Sequence, residues 1–367
     1  MNFLSEITER EHYFLSAIAR FRKNGLPVVL CGNGYVANVF KKFLDKQGVS
    51  LYCSALTLEY MPNEKHEHIE VRAIEELVDL PQRFNYIIGF QTCTDFLIEK
   101  LQKNAEELII CDPSSIEMFS AGMIDYDFCF DNRDSLQALY DSFGDDFSRK
   151  TFTAYLNQRI CGQVGHLLPY HSDNAYFNDE LVTLGNDEIF VDCGACDGDT
   201  VLSFVKNLRE LNLAPARKIY AFEPDSKNFK KLVSNTNHLS NVSCIHSGVW
   251  SKNDELSFNE SGDQNSGIVE GGSHHKISVS SIDRVVNDEP VTFIKMDIEG
   301  AEQQALKGAE ATILKHKPLL ALSFYHRLDD LFIIPSYIKA LHDDYRFCLR
   351  WHHRKYAYDL VLYALPY

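Results

Sequence analysis

Between Val191 and Thr200 the chain reads VDCGACDGDT, which sets a Cys-x-x-Cys pair and two glycines among three aspartates. A redox pair of that spacing needs a depressed thiol pKa, from a helix N-terminus or a neighbouring cation. Asp192, Asp197 and Asp199 oppose it. A structural zinc site needs four ligands in paired spacing, and no second Cys-x-x-Cys or nearby His pair completes one. The pattern fits better a glycine turn between a strand and a helix, where Gly194 and Gly198 let backbone approach a ligand closely. A pyrophosphate there would meet three carboxylates, whereas a ligand carrying an ammonium and a sulfonium finds complementary charge. Glu223, ending the next strand in AFEPD, stands where a carboxylate accepts hydrogen bonds from both ribose hydroxyls. Together these features describe S-adenosylmethionine. The plainer alternative, acids capping a helix, accounts for one aspartate but not for the order of strand, glycine turn, helix, strand and acid.

A second group of reactive side chains follows. Asp297 ends a strand-like run, Glu299 and Glu302 open the next helix, and His326 ends the run SFYH. Abstracting a proton from a weakly nucleophilic hydroxyl suits a histidine of near-neutral pKa. His326 is therefore read as the base and Asp297 as its neighbour at the catalytic centre, beside the alternative of a core histidine bonded to backbone. Glu302 reads first as solvated charge at a helix N-terminus. The acids could also hold a divalent metal, but Asp-x-Glu alone underdetermines one, so no metal ligand is assigned and metal dependence stays open. His274 and His275, adjacent on a strand, would point to opposite faces. The stretch ESGDQNSGIVEGGSHH reads either as a loop covering an acceptor or as a plain hairpin.

Positioning these groups takes alternating strands and helices. Near the amino terminus LPVVLCG, VSLYCSA, NYIIGF and ELIICDP read as strands, with YVANVFKKFLDKQG, AIEELVD and DFLIEKLQKN as helices. Residues 1–113 thus form a small parallel α/β domain, 114–180 a helical connecting region, and 181–367 a larger α/β domain. In the latter, EIFVDCG, KIYAFEP, NVSCIHS, TFIKMD and LLALSFYH read as parallel strands. YRFCLRWHH and YDLVLYALP lie too close for a crossover and form an antiparallel hairpin at one edge. Ligands in such sheets bind beyond the carboxyl ends of strands, so Asp192, Glu223, Gly248, Asp297 and His326 should share one rim.

Composition narrows the remaining classes. A formal net charge of −16 repels a phosphate backbone, and the longest basic run is HHRK, so nucleic acid is not an expected partner. Hydrophobic residues at 45% and charged ones at 24% are ordinary for a globular chain, and no run approaches the length of a membrane span. The opening MNFLSEITEREHYFLSAIARF reads as a cytosolic terminus. The ten cysteines sit in apolar segments and read as reduced.

The segments IFVDCGACDGDT, IYAFEPD, VTFIKMDIEGAEQQALKGAE, ALSFYHRLDDLFIIPSYI and the closing LRWHH with LVLYALP resemble the FkbM-type S-adenosylmethionine-dependent methyltransferases from about Phe177 to Tyr367. The resemblance implies a Rossmann-like class I methyltransferase sheet with an antiparallel terminal hairpin, and O-methylation of sugars, glycan intermediates or some macrocyclic natural products. It implies that Asp192, Gly194, Ala195, Asp197, Gly198 and Thr200 surround the methionine end of the cofactor, Glu223 with Pro224 the ribose, and Val249 and Trp250 the adenine. A tryptophan after a strand is as readily a packing residue, and Cys196 stands where the family often has an aromatic. The expected function is O-methylation of a sugar, nucleotide sugar or glycan intermediate. The alternatives are a non-catalytic S-adenosylmethionine or nucleotide-sugar binding module, or a methyltransferase of a non-sugar product. The early LCGNGYVANVF resembles small Rossmann-like domains of sugar-modifying enzymes. It lacks the acid an NAD ribose requires, which leaves a nucleotide-sugar or an interface role.

Overall fold

The computed structural model describes residues 2–61, 70–90, 93–116, 122–259, 267–268 and 275–366. Internal contacts divide the chain into two units. The first comprises Met1–Arg133, Thr153–Pro169 and Arg354–Ala357, and the second Asp134–Phe152, Tyr170–His353 and Tyr358–Tyr367.

Unit one opens with α1 (Tyr13–Asn24), β1 (Val28–Cys31), α2 (Tyr35–Lys46), β2 (Leu51–Leu56) and β3 (Val71–Ala73). It continues through α3 (Ile74–Val78), β4 (Phe84–Ile88), α4 (Asp95–Gln102), β5 (Ala105–Ile109) and α5 (Tyr126–Asp131). The strands pair in parallel in the order β3-β2-β1-β4-β5. All of β1 is buried, as a strand covered on both faces must be. Phe14, Ala17, Ile18 and Phe21 on α1 meet Val36, Ala37, Phe40 and Phe43 on α2 at helical spacing. Two glycines of this unit serve packing. A Cβ on Gly32, at φ +130°, would sit 2.9 Å from the Gly89 carbonyl oxygen, and one on Gly89 would sit 2.9 Å from Ala37 Cβ. Buried Asp112 accepts hydrogen bonds from Ser114 N and Oγ, Gln158 Nε2 and Ala357 N, which ties the 354–357 segment into this unit.

In unit two, β6 (Ile189–Cys193), β7 (Lys218–Phe222), β8 (Val242–Ile245), β13 (Phe293–Met296) and β14 (Leu319–Ser323) run parallel. The antiparallel hairpin β15 (Arg346–Trp351) and β16 (Leu360–Leu365) completes the order β15-β16-β14-β13-β6-β7-β8. This is the Rossmann-like sheet with the terminal hairpin at one edge that the sequence implies. Between the parallel strands lie α8 (Asp199–Glu210), α9 (Ser226–Thr236), α10 (Ile282–Val286), α11 (Glu302–Lys307), α12 (Glu310–His316) and α13 (Asp330–Leu341). Phe177, Phe190, Phe204 and Phe293 form an aromatic knot under the first crossover, with Phe190 and Phe204 centroids 4.4 Å apart.

The stretch expected as a helical connection holds α5, α6 (Arg133–Ser142) and α7 (Asp146–Cys161). The turn between α6 and α7 covers the edge of β15. Gly144 N donates to Phe347 O, Leu349 N donates to Ser148 Oγ, and Arg350 pairs with Asp145 at 3.1 Å. Such cover removes the open hydrogen-bonding edge that invites aggregation.

A four-stranded sheet, absent from the sequence reading, is formed by β9 (Gly248–Val249), β10 (Asp254–Asn259), β11 (Gly267–Ile268) and β12 (His275–Ser280), in the order β11-β10-β12-β9. Residues 260–266 and 269–274 of the stretch read either as a loop over the acceptor or as a hairpin, with His274, lie outside the described residues, while β10 and β12 on either side of it pair antiparallel. Among the described residues no helix is long and apolar enough to cross a membrane, and all ten cysteines are free.

Candidate active site

The glycine turn is fixed by its neighbours more than by its own sequence. Beyond β6, Gly194 and Ala195 donate their N–H groups to Phe222 O at 3.1 and 2.9 Å. Gly194 has φ +79°, and a Cβ there would lie 2.0 Å from Asp297 O. Only glycine lets β6 and β13 approach that closely. Gly198, at φ +91°, caps α8 and donates to Ala195 O at 2.7 Å. Cys196 takes the left-handed conformation, φ +47°, which turns its N–H onto Glu223 Oε2 at 2.9 Å. Thr200 donates from N and Oγ1 to Asp199, which is exposed, while Asp197 is half-buried.

Glu223 stands at the tip of β7, 5% exposed, with Oε1 accepting from Asp225 N at 2.8 Å. Burial pushes its carboxyl up to about 7, against the two backbone donors. Each oxygen has accepted one bond and retains a lone pair for another. Pro224 follows, half-buried. The Cys196 thiol is pushed up to about 11 by burial and then by Glu223 and Asp197, which disfavours a reactive thiolate.

Asp192 lies beneath the turn, wholly buried, 3.0 Å from Lys295 Nζ. The two are register partners on β6 and β13. Lys295 also donates to Gly194 O at 2.7 Å and Cys193 O at 3.3 Å, so one ammonium holds the turn from below. Burial disfavours its charge, but Asp192 and Asp297 hold it protonated. The sequence reading passed over Lys295. Its signal was a lysine inside the apolar run FIKM, where a buried cation requires a partner.

Asp297, Glu299, Glu302 and His326 come together at the ends of β13 and β14. His326 is 2% exposed. Its Nδ1 is 3.0 Å from Glu302 Oε1, and its Nε2 is 3.6 Å from both Asp297 Oδ1 and Glu299 Oε2. Glu302 is fully buried rather than a solvated helix-end charge, and its Oε1 also accepts from Ile298 N at 3.0 Å. Tyr176, with its ring 5.2 Å from the Lys295 ammonium, donates its hydroxyl to Asp297 Oδ2 at 2.9 Å. It precedes the segments that carried the sequence resemblance, and no motif marked it. Burial on its own disfavours the imidazolium of His326, but Glu302, Glu299 and Asp297 raise its pKa to about 10. The near-neutral base expected from sequence is therefore a charged imidazolium at neutral pH. Burial acts on Asp297 in the opposite sense, yet Lys295 and His326 hold it below the usual carboxylate range. Burial also pushes Asp359 up to about 7.

At the remaining rim position, Gly248 and Val249 are buried in β9. Trp250 donates its backbone N–H to Ser280 O and packs with Leu256 on Ile277 and Val279.

Residues 192–358 match the Methyltransferase FkbM domain family. This segment is an FkbM methyltransferase domain. Over 99% of its length the chain is similar to the crystal structure of a methyltransferase FkbM from Methylobacillus flagellatus KT, covering 93% of that chain at 22% identity and a TM-score of 0.72. That likeness extends the shared fold to unit one. A putative methyltransferase from Streptococcus mutans in complex with SAH (15% identity, 49% and 90% coverage, TM-score 0.29) and an rRNA methylase from Streptococcus thermophilus (17%, 50% and 90%, 0.32) are more distant. No curated protein matches the sequence. The FkbM domain starts at Asp192 and encloses the glycine turn, Glu223, Lys295 and the carboxylate–histidine cluster, while Tyr176 and Asp359 lie just outside its limits.

Proposed function

We propose that the FkbM domain transfers a methyl group from S-adenosylmethionine to a hydroxyl oxygen of a sugar, nucleotide sugar or glycan intermediate. The observation that carries this reading is Glu223, a buried carboxylate fastened to the glycine turn through Cys196 N. Such an acceptor, at the end of the strand after a glycine turn, suits a ribose diol. The donor set fits the cofactor: half-buried Asp197 and buried Glu223 stand at the turn, where they suit a cationic ligand, with Asp192 shaping the turn through Lys295. In this reading Gly194, Ala195, Asp197, Gly198 and Thr200 line the methionine end, Glu223 and Pro224 hold the ribose, and Val249 and Trp250 border the adenine. Resemblance to sugar-modifying members and the wealth of carboxylate acceptors near Asp297 support a polyhydroxylated substrate.

When bound, S-adenosylmethionine supplies a methyl group on a sulfonium that leaves without assistance. The chain must orient the acceptor hydroxyl in line and remove its proton. His326, already protonated at neutral pH, cannot take that proton. Asp297 is ionised, its Oδ2 is occupied by Tyr176, and its Oδ1 makes no hydrogen bond among the described residues. Asp297 therefore accepts the hydroxyl proton or orients the hydroxyl, and His326 with Lys295 fixes Asp297 by charge. Unit one, whose glycine turn carries no carboxylate, serves the acceptor or assembly. The test is the full chain with methyl-labelled S-adenosylmethionine and a panel of nucleotide sugars and glycans. Label transferred to oxygen supports the reading. Cofactor binding without transfer to any acceptor favours a binding module, and absence of cofactor binding by calorimetry rejects both.

A further inference from the structure

We propose that Asp297, Glu302 and His326 form a binding site for one divalent cation of the manganese or zinc type. Each of the three offers a donor atom, and these atoms lie within 4.8 Å of one another. They come from three different elements, the ends of β13 and β14 and the first residue of α11, so the convergence is a product of the fold and not of a single acidic run.

Three observations bear on occupancy. The Glu302 side chain is wholly buried, yet its Oε2 has no hydrogen-bond partner among the described residues, and the enclosed Asp297 Oδ1 also has none. Buried carboxylate oxygens without donors carry a desolvation cost that a cation relieves. Second, His326 Nε2 lies 3.6 Å from Asp297 Oδ1 and from Glu299 Oε2. That separation is too long for a hydrogen bond. It is close to the ~3.0–3.5 Å edge between ligand atoms around an ion with bonds of about 2.1 Å. Third, the donors are held from behind, as ligands of a metal usually are. Tyr176 donates to Asp297 Oδ2, and Ile298 N donates to Glu302 Oε1.

Charge points the same way. Asp297, Glu299 and Glu302 surround one histidine, and the nearby Lys295 is already paired with Asp192. A mixed imidazole and carboxylate set favours manganese or zinc over magnesium, which prefers oxygen ligands and retained waters. The inference goes beyond methyl transfer and bears on its base: an ion bound at His326 Nε2 would displace the proton that this imidazole otherwise carries and would share Asp297 Oδ1 with the acceptor hydroxyl.

The experiment is titration of the full chain, stripped with chelator and free of cofactor, with Mn2+ and Zn2+ by calorimetry, and with Mn2+ by electron paramagnetic resonance. One equivalent should bind. Glu302→Gln keeps the shape and one acceptor oxygen and should weaken binding about a hundredfold, with Asp297→Asn weakening it similarly. Circular dichroism reports folding, and Glu299→Gln, at the edge of the cluster, serves if either variant fails to fold. Glu9→Gln, in the separate Glu9, Cys161 and His166 group, should leave that affinity unchanged. The inference is overturned if neither ion saturates a single site, if affinity survives the substitutions in the cluster, or if only Glu9→Gln removes it. S-adenosylmethionine binding, measured on the same stripped protein, tells a failed metal site apart from a failed methyltransferase reading.

Discussion

Cofactor affinity should depend on pH through Glu223. Burial raises this carboxyl to about 7 from an ordinary value of 4.5, so the folded protein holds the proton more tightly than the unfolded chain. Ionisation is therefore a cost to stability that begins near pH 4.5 and is complete above about pH 7. A ribose diol donates two hydrogen bonds and needs the ionised acceptor. With a pKa of 7, the competent fraction is about 0.09 at pH 6 and about 0.91 at pH 8, so apparent affinity should rise about tenfold over that interval, or ~1.4 kcal/mol. Isothermal calorimetry with S-adenosylmethionine or its demethylated product, in buffers of differing ionisation enthalpy, reads both the slope and the proton released. In Glu223→Gln the slope should vanish and affinity should fall by ~2–3 kcal/mol. Part of that loss is local, because an amide offers one acceptor oxygen to two backbone donors, Cys196 N and Asp225 N. A wild-type affinity that changes less than twofold from pH 6 to 8, or a glutamine variant that keeps the slope, refutes the assignment of Glu223 to the ribose.

Lys295→Met should destabilise the protein by about 3–5 kcal/mol in urea unfolding, since it strands the buried Asp192, and adding Asp192→Asn should recover a substantial part. Asp145→Asn should cost about 1–2 kcal/mol at pH 7. Burial notwithstanding, Arg350 and Ser148 hold the Asp145 carboxyl at about 2. Its stabilisation is therefore present above the unfolded value near 3.8 and lost as pH falls toward 2, and acid unfolding curves of variant and wild type should converge there. Cys196→Ser should leave methyl transfer equally active under reducing and oxidising conditions, and a wild-type redox dependence abolished by the change would restore a thiol role.

The parallel strands of both units were legible because strands covered on both faces are continuous apolar runs, as in Val28–Cys31 and Ile189–Cys193. The edge hairpin was legible because a short connection excludes a crossover. The small sheet was not. Its strands are short and mostly polar, with Leu256, Ile277 and Val279 packing with Trp250, and the Gly/Ser-rich segment between β10 and β12 outweighed that alternation. Site residues divide along the same line. Gly194, Glu223, Asp297 and His326 announce themselves by type at strand ends, whereas Tyr176 and Lys295 acquire meaning only from what the fold brings beside them.

That division bears most on the base proposed from the sequence. A sequence gives His326 its intrinsic pKa, but its protonation is set by neighbours 24 to 29 positions earlier in the chain, Glu302 through Nδ1 and Asp297 and Glu299 across Nε2. Three carboxylates around one buried imidazole favour its cation by more than burial disfavours it. The same arrangement links the two halves of the site. Asp297 places its backbone carbonyl against Gly194 and its side chain against Tyr176 and His326, and the proposed reading assigns the first to the cofactor turn and the second to the acceptor. A substitution that moves the β13 backbone at Asp297 should therefore disturb cofactor and acceptor together, whereas one that alters only its carboxylate should act chiefly on the acceptor side.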